Sequence, residues 1–348
     1  MIRVAVIGAG QWGPNLIRNF HNKQTSEVVW IIDRDAARLE EVHAHFRDVQ
    51  VAENPEQALR DPSVHAVVVA APTSTHYALA KQALDQRKHV LVEKPLTTEV
   101  KEGLELLELA TKHRLTLMVG HVFVYNFAVR KVKEYIDTGY LGNVYYISMV
   151  RTNLGPIRTD VSAAWDLAAH DISIANYWLN AEPLSVSAIG GTWINQGIED
   201  AVFATLRYPD GVLVNLHASW LNPRKAREIT VVGGRRMLTF DDMNLNEPLR
   251  IYDRQVSDVR VPPTYVDSFA SFRASVPKGE ISVPKVPLGE PLATQCAHFL
   301  DCIVTGTQPL TSGREGIAVV RAVEAMQRSM RAGGREEQLD HADQLARY

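Results

Sequence analysis

The first 120 residues alternate short apolar runs with longer segments in which apolar side chains recur at helical spacing. Runs rich in valine and isoleucine are typical of strands buried on both faces of a sheet. Such runs lie at residues 3–7, 28–32, 66–71, 90–92 and 115–119. Since strands that alternate with helices pair in parallel, the pattern predicts an α/β domain with a doubly wound sheet. Ligands are expected at the carboxyl ends of its strands.

One helix of this domain can be placed closely from its apolar stripe. The spacing predicts a helix over residues 98–112, with Thr97 or Thr98 as the capping residue. The stripe consists of Val100, Leu104, Leu107 and Ala110. This helix would follow the strand at residues 90–92 after a short loop.

The pattern changes after residue 120. Helical spacing predicts helices over residues 127–138 and near Trp165, and residues 184–252 then consist of short strand patterns separated by turns. This succession indicates a large, open, mostly antiparallel sheet with helices on one face. The other face is available to pack against a second subunit.

The C-terminal part is expected to complete this second α/β domain. Residues 255–292 are rich in proline, serine and valine and show little periodicity, which indicates a long loop or arm. Helices are expected over residues 292–305 and 313–332, before a charged tail. The chain therefore divides into two predicted domains, residues 1–120 and residues 121–348.

Composition argues against several classes of partner. The 348 residues carry a net charge of −3, which gives no basic excess for nucleic acid or an anionic membrane. No apolar run approaches the roughly twenty residues of a membrane span, and the first strand leaves no room for a signal peptide. The two cysteines, Cys296 and Cys302, are interpreted as buried thiols in a reducing cytoplasm. No metal site is expected, because cysteines and histidines lack recognisable ligand spacing.

A glycine-rich turn follows the first predicted strand. Gly8 is expected to make the tight turn, Gly10 to let the backbone approach a pyrophosphate, and Gly13 to let the next helix pack on the strand. The start of that helix would face the phosphates with free N–H groups and a positive dipole. The residues of this turn expected to bind a dinucleotide are Gly8, Gly10, Gln11, Trp12 and Gly13.

An acidic residue stands at the end of the second strand, twenty residues beyond Gly13. Asp33 can accept hydrogen bonds from both ribose hydroxyls of an adenosine, and it would repel a 2′-phosphate. The position therefore favours NAD over NADP. The neighbouring Arg34 leaves an alternative open, since its guanidinium can lie on the adenine or reach a 2′-phosphate.

The loop after the third run is expected to lie along the cofactor. Its contacts are expected from Ala71, Pro72, Thr73 and His76. The same segment can also be a helix start that Ser74 or Thr75 caps, and both interpretations can hold together.

Glu93-Lys94-Pro95 follows the fourth apolar run. Proline restricts the preceding residue to extended geometry and allows a cis bond, which would aim the Lys94 side chain. Lys94 would then project toward the nicotinamide end of the cleft, where its ammonium can donate to a substrate hydroxyl or carbonyl. The alternative is a solvated surface lysine.

A further candidate group is the pair Asp166 and His170. In a helix these residues are one turn apart on one face, so the carboxylate can orient the imidazole or share substrate hydroxyls with it. Alcohol oxidation releases a proton, and imidazole titrates near neutral pH. The alternative is a pair on a helix surface without a catalytic role. Asp171, about 100° further round the helix, is interpreted as structural.

Together these motifs resemble the Gfo/Idh/MocA oxidoreductase family over essentially the whole chain. The resemblance rests on the GxGxxG opening, Glu93-Lys94-Pro95, Gly120-His121 and the Asp166/His170 pair, in this order and spacing. It implies a Rossmann domain followed by an α/β domain whose open sheet builds a homodimer or homotetramer. It also implies NAD(P)-dependent oxidation or reduction of a sugar or cyclitol hydroxyl.

Site residues follow from this resemblance by position. The family's catalytic pair corresponds to Lys94 and His170, with Asp166 assisting, and His76 and Glu93 would lie near the cofactor. The sequence does not decide whether His170 or Lys94 takes the hydroxyl proton.

Residues 125–142 and 155–170 resemble the branch of the family that oxidises nucleotide-linked sugars, such as UDP-N-acetylglucosaminuronate 3-dehydrogenases. This resemblance implies a secondary hydroxyl at C3 of a nucleotide-linked sugar. The residues expected to bind the substrate are Lys94, Arg158, Asp166 and His170. Four basic residues are candidates for binding a diphosphate or carboxylate of the substrate: Arg151, Arg158, Arg224 and Lys225. Each can equally be a surface cation without such a role. A free-sugar or inositol dehydrogenase, an NAD-dependent glycosidase and a non-catalytic NAD(H)-binding sensor remain open alternatives.

Overall fold

The computed structural model describes residues 1–21, 24–253 and 279–340. The chain forms two compact units. The first consists of Met1–Asn126, Gly289–Ala325 and Leu339–Tyr348, and the second of Phe127–Leu288 and Met326–Gln338. Residues 289–325, which the sequence analysis assigned to the second domain, therefore group with the first unit.

A parallel sheet forms the centre of the first unit. Its strands among the described residues are β1 Ile2–Ile7, β2 Ser26–Ile32, β3 Gln50–Ala52, β4 Ala66–Val69, β5 His89–Glu93 and β6 Leu117–Gly120. Their order is β3-β2-β1-β4-β5-β6, so the chain winds outward from β1 in both directions. The predicted doubly wound parallel sheet is confirmed. The pattern did not predict β3, which is short and mostly exposed.

Helices connect these strands and join the unit from the C-terminal part of the chain. They are α1 Gly13–His21, α2 Ala36–His45, α3 Glu56–Arg60, α4 His76–Asp85, α5 Val100–His113, α8 Pro291–Thr305 and the first part of α9 Gly313–Arg331. The two C-terminal helices lie within one residue of their predicted bounds. Helix α8 packs against α1, where the rings of Phe20 and Phe299 meet edge to face with centroids 6.2 Å apart. Cys296 and Cys302 on α8 are buried thiols that form no disulfide, as predicted.

The cap expected for α5 is wrong. The helix begins at Val100, and neither Thr97 nor Thr98 caps it with a side chain. Instead, the Val100 N–H donates to Oε1 of Glu324 on α9 at 2.9 Å, while the Thr97 hydroxyl donates to the Glu99 carbonyl. The cap therefore comes from a residue more than 200 positions away, which local spacing does not reveal.

A second sheet forms the centre of the second unit. Its strands among the described residues are β7 Val144–Leu154, β8 Ser185–Gly191, β9 Ala201–Arg207, β10 Leu213–Ser219, β11 Leu221–Gly233, β12 Met237–Asp241, β13 Leu249–Tyr252, β14 Ile281–Ser282 and β15 Glu337–Gln338. They lie in the order β14-β13-β12-β11-β7-β10-β9-β8-β15. All neighbours are antiparallel except β7 and β10. The predicted large, mostly antiparallel sheet is confirmed.

Helices cover one face of this sheet. Helix α6, Phe127–Asp137, is followed by Gly139 in left-handed backbone geometry, as the sequence predicts. A π-helical turn, Ala164–Ala168, runs directly into α7, Ala169–Leu179. The turn packs on β10 and α7 on β7.

Apolar side chains lie exposed on the other face of this sheet. They include Tyr146, Ile189, Phe203 and Leu213. Most of the segment expected to form a long loop, residues 254–278, and the tail at residues 341–348 lie outside the described residues. Of the described helices, none combines the length and the apolar character that crossing a bilayer requires.

Candidate functional site

The turn between β1 and α1 has the backbone geometry that the glycine spacing predicts. Gly8 adopts a φ of +108°, and a Cβ there would lie 2.4 Å from the Ala70 carbonyl oxygen. A Cβ on Gly13 would lie 2.1 Å from the Gly8 carbonyl oxygen, so helix and strand meet too closely for a side chain. Gly10 instead faces open space: among the described residues other than its chain neighbours, the Arg38 guanidinium alone comes within 4 Å of its Cβ position. An exposed backbone beside a helix start is what a dinucleotide pyrophosphate requires, so this turn fits the group.

Asp33 fastens this turn from the end of β2. Its Oδ2 accepts a hydrogen bond from the Ala9 N–H at 2.7 Å, and its Oδ1 accepts one from the Asp35 N–H at 3.0 Å. Each carboxylate oxygen has a second lone pair. The carboxylate can therefore hold the turn and also accept from ribose hydroxyls.

Arg38 is a candidate that the sequence analysis missed. It lies in the first turn of α2, where its Nη1 comes within 3.7 Å of the Gly10 Cβ position and its Nε pairs with Asp35 at 3.3 Å. This places a cation beside the exposed backbone of Gly10. The signal available in the sequence was an arginine five residues beyond Asp33, at the start of the second helix.

His76 holds two loops of the first unit together. Its Nδ1 lies 2.7 Å from the Pro95 carbonyl oxygen and its Nε2 lies 2.9 Å from the Ala71 carbonyl oxygen. The ring is buried, as is Thr73. Neither Ser74 nor Thr75 caps α4, and the Thr75 hydroxyl donates to the Pro72 carbonyl instead. The loops that follow β4 and β5 are thus joined through one imidazole.

Glu93, Lys94 and His121 form a cluster of titratable groups at the ends of β5 and β6. Glu93 pairs in register with Gly120, whose Cβ position lies only 3.0 Å from the Glu93 carboxyl. The carboxyl lies close against the Gly120 backbone, and its burial raises the pKa of Glu93 to about 7. The Lys94 N–H donates to Glu93 Oε2 at 3.3 Å, and the Lys94–Pro95 peptide bond is cis.

His121 is the member of this cluster that the sequence motif included without a role. Its ring is buried, and burial together with repulsion from the Lys94 ammonium lowers the pKa of His121 to about 3. The imidazole is therefore neutral at physiological pH. The positive charge in this cluster belongs to Lys94.

Asp166 lies in the π-helical turn, and not in the α-helix that the sequence analysis expected. A π turn has i→i+5 hydrogen bonds and is wider than an α turn, so Asp166 and His170 do not have simple α-helical spacing. Both Asp166 oxygens are held. Oδ1 accepts from Arg158 Nη1 at 3.3 Å, and Oδ2 accepts from the buried Trp220 indole N–H at 3.2 Å.

Arg158 bridges two carboxylates. Besides Asp166, it binds Asp160 through two parallel hydrogen bonds, from Nε at 2.9 Å and from Nη2 at 2.6 Å. The guanidinium is about one-third exposed and Asp160 about one-half. The group of Arg158, Asp160 and Asp166 therefore carries one net negative charge.

The other candidate cations are placed differently. Arg151 is buried and pairs with Asp171, to which its Nε and Nη2 donate at 2.8 and 2.6 Å. Arg151 is therefore not the surface cation that the sequence analysis left open as an alternative, and its ion pair agrees with the structural role expected for Asp171. Arg224 pairs with Glu228 on the surface, and Lys225 is exposed beside it.

The candidate residues divide between the two units. Lys94 belongs to the first unit, together with Asp33, His76 and Glu93, and the structure brings Lys94, Glu93 and His121 together there. Asp166, His170 and Arg158 belong to the second unit. The partners that sequence reasoning missed in the second unit are Asp160 and Trp220, since neither lies in a recognisable motif.

Known protein families match both units. Residues 2–121 match the model of an oxidoreductase family with an NAD-binding Rossmann fold, GFO/IDH/MocA, and residues 129–239 match the C-terminal domain of the same family. UDP-N-acetylglucosamine 3-dehydrogenase of Acidithiobacillus ferrooxidans is 29% identical over 262 residues, which cover 74% of this chain and 79% of that protein. The scyllo-inositol 2-dehydrogenase (NAD(+)) of Bacillus subtilis is 25% identical over 322 residues, which cover 89% of each.

A solved structure has the same fold over almost the whole chain. UDP-N-acetylglucosamine 3-dehydrogenase from Acidithiobacillus ferrooxidans aligns with a TM-score of 0.81 and 24% identity. The alignment covers 96% of this chain and 99% of that one. At this identity, the likeness shows the fold alone.

Proposed function

Because the chain belongs to the GFO/IDH/MocA family of NAD-binding oxidoreductases, we propose that it is an NAD-dependent sugar dehydrogenase. Its substrate is a nucleotide-linked sugar, of which it oxidises, or in reverse reduces, a secondary hydroxyl at C3. The relatives that support this class are named as dehydrogenases of a nucleotide sugar and of inositol.

The arrangement around Asp166 carries this proposal. An arginine and a buried indole N–H each hold one oxygen of its carboxylate, and the residue lies in a π-helical turn directly before His170. Single π-helical turns are frequent at functional sites. A carboxylate fixed in this way has a defined position just before the helix that carries His170, which a surface pair would not require.

His170 and Lys94 carry out the proton chemistry of the proposed reaction. The role proposed for His170 is to accept the proton of the hydroxyl that is oxidised, and the role proposed for the Lys94 ammonium is to donate to the substrate oxygen and polarise it; these roles can also be exchanged. Asp166 orients His170 or accepts from a neighbouring hydroxyl. The neutral His121 leaves Lys94 as the positively charged group of its cluster.

The first unit supplies the cofactor site. A bound NAD supplies the hydride acceptor. The turn at Gly8, Gly10 and Gly13 holds the pyrophosphate, and Asp33 accepts from the adenosine ribose. Asp33 favours NAD over NADP by charge, whereas Arg34, and Arg38 beside Gly10, are cations that would favour a 2′-phosphate. We expect the Asp33 carboxylate to outweigh these cations, so that the protein prefers NAD to NADP.

The open face of the second sheet supports a homodimer or homotetramer. Its exposed apolar side chains come from neighbouring strands, and a face of this kind is buried most simply against a second copy. The buried thiols of Cys296 and Cys302, which form no disulfide, fit a reducing compartment, and we propose that the protein lies in the cytoplasm.

A free cyclitol or monosaccharide is the second candidate substrate. It is favoured by the net negative charge of Arg158, Asp160 and Asp166, since this charge repels a diphosphate but not a neutral polyol. The match with scyllo-inositol 2-dehydrogenase, over 89% of both chains, agrees with this alternative.

The test is formation of NADH by the purified protein with NAD and a panel of UDP-sugars, UDP-sugar acids, free sugars and inositols. NADH from nucleotide sugars alone supports the proposal, and NADH from inositols moves the substrate to the second candidate. Lys94→Ala and His170→Ala should each lower kcat/KM by about a hundredfold or more, the usual contribution of acid–base groups.

Matched variants control for general damage to the protein. Lys112→Ala and His45→Ala remove a lysine and a histidine from exposed positions in the first unit, and we expect them to retain full activity. Unchanged turnover in Lys94→Ala or His170→Ala would show that the mechanism is wrong. Equal kcat/KM with NADP and NAD would overturn the role given to Asp33.

A further inference from the structure

An indole lies exposed on a turn of the second unit that is otherwise tightly held. The Trp193 side chain is 65% exposed. One side of its ring lies against Gly191, where a Cβ would come within 2.1 Å of the indole. The backbone N–H groups of Trp193 and Ile194 both donate to Oδ2 of Asp200, at 2.6 and 2.8 Å, and Asp200 is fully buried. The backbone that carries the ring is therefore held in place, and the exposed indole presents a flat, apolar surface.

This turn is tied to the residues around Asp166 in two ways. The Trp220 N–H donates to the Asp200 carbonyl at 3.0 Å, and the Trp220 indole in turn holds Asp166. The Asn195 side chain donates to the Arg158 carbonyl at 3.2 Å. Trp193 and Arg158 consequently lie on two loops that are joined to each other and to Asp166.

The Arg158 guanidinium donates hydrogen bonds from two of its edges. Its Nη1 holds Asp166, whereas Nε and Nη2 form the pair of parallel donors that matches a carboxylate or a phosphate. Asp160 takes this second edge. The two residues are only two positions apart on a partly exposed loop, and ion pairs of this kind contribute little because water screens them.

We propose that the Nε/Nη2 edge of Arg158 and the indole of Trp193 form a subsite for a nucleoside diphosphate, and that Asp160 competes with the diphosphate for Arg158. This inference rests on the proposed function and deepens it. The sugar hydroxyls lie at Asp166, the diphosphate pairs with Arg158, and the base stacks on Trp193. This proposed order of sugar, diphosphate and base is the order in which these groups are linked in a nucleotide-linked sugar.

The charge balance explains why Asp160 matters. With Asp160 in place, the group carries one net negative charge, and without its charge the group is neutral. A diphosphate that displaces Asp160 gains two charge-assisted hydrogen bonds and gives up a weak, solvated pair. A neutral polyol gains nothing from the exchange. The hydrogen bonds from Arg158 also hold the pKa of Asp160 below its usual range, so the competitor is charged at neutral pH.

The experiment measures binding of UDP to the full chain by calorimetry in saturating NAD, which keeps UDP from the dinucleotide turn. Asp160→Asn should tighten UDP binding by up to about fivefold and lower the KM for a UDP-sugar. Asp137→Asn removes an equally exposed acid from an ion pair on α6 and should change neither quantity. Weaker or unchanged UDP binding in Asp160→Asn would overturn the proposal.

A second pair of variants tests the indole. Trp193→Ala should weaken UDP binding by about fivefold or more, the range of a base stacked on an aromatic ring, and Trp193→Phe should retain most of the affinity. Ile194→Ala removes the neighbouring exposed apolar side chain and should have no effect. If Trp193→Ala instead changes the oligomeric mass and leaves UDP affinity unchanged, the ring belongs to an interface between copies and the proposal fails.

The experiments distinguish an error in the proposed subsite from an error in the proposed function. If UDP-sugars are oxidised while Asp160→Asn and Trp193→Ala leave UDP affinity and KM unchanged, the enzyme class stands and the subsite does not. If only inositols are oxidised and UDP does not bind, both the nucleotide-linked substrate and the subsite are wrong.

Discussion

Burial raises the pKa of Glu93 to about 7 from the ordinary value of 4.5. Between these values, the folded protein keeps a proton on Glu93 that the unfolded chain has lost, so stability falls as pH rises through this window. The difference amounts to about 3 kcal/mol above pH 7. Glu93→Gln cannot titrate, so its free energy of unfolding relative to the native protein should increase by up to this amount between pH 5 and 8. Urea unfolding at both pH values measures the change.

Glu56→Gln is the matched control for this prediction. It removes a carboxyl from an exposed position on α3 in the same unit, and its stability relative to the native protein should not change over the same window. A parallel pH dependence for Glu93→Gln and the native protein would show that Glu93 titrates normally.

At the level of single residues, the sequence predicted the residues whose role depends on a local motif, and it missed contacts between residues that are distant in the chain. Gly8 and Gly13 follow from a six-residue motif, and the structure gives both the close contacts that exclude a side chain. Trp220 holds Asp166 across 54 positions, and no motif marks it. The pairing of Arg151 with Asp171 likewise depends on burial, which charge alone does not reveal.

At the level of elements, the start of α5 shows how tertiary contact overrides a local signal. Two threonines precede the helix, yet Glu324 on α9 accepts from its first N–H. Glu324→Ala should lower the free energy of unfolding by about 1 kcal/mol, the usual cost of losing a cap. Glu324→Gln retains an acceptor and should lose less. Thermal or urea unfolding measures both.

Thr98→Ala is the control at the position where a local cap was expected. Thr98 is exposed and makes no capping bond, so its removal should change stability by less than about 0.5 kcal/mol. A larger loss in Thr98→Ala than in Glu324→Ala would restore the cap that the sequence suggested.

The strands likewise differ in whether the local sequence pattern predicts them. Runs of valine and isoleucine predicted β1, β2, β4, β5 and β6, because a strand buried on both faces must be apolar throughout. The short β3 escaped prediction, since an edge strand with exposed side chains has no such pattern. The π-helical turn before α7 also has no recognisable periodicity, so Asp166 and His170 were expected on an α-helix.

At the level of the whole molecule, the open face of the second sheet exposes apolar side chains that a second copy of the chain could bury. Ile189 and Phe203 are in register on β8 and β9, exposed by 62% and 48%, and the Phe203 ring stacks on His217 with centroids 4.4 Å apart. Leu213 and Tyr146 continue the exposed surface on β10 and β7. Burial of such side chains against a second copy stabilises an assembly in proportion to the apolar area removed from water.

A lysine on this face therefore tests the proposed homodimer or homotetramer. Phe203→Lys and Ile189→Lys each bury an unpaired charge if the face is an interface, at a cost of about 2 kcal/mol or more, which weakens association more than tenfold. Light scattering at micromolar concentration should then show a smaller particle than for the native protein. Val304→Lys changes an equally exposed apolar residue on α8 and should leave the mass unchanged. A native protein that is already monomeric, or lysine variants that keep the native mass, would show that the sheet face remains in solvent.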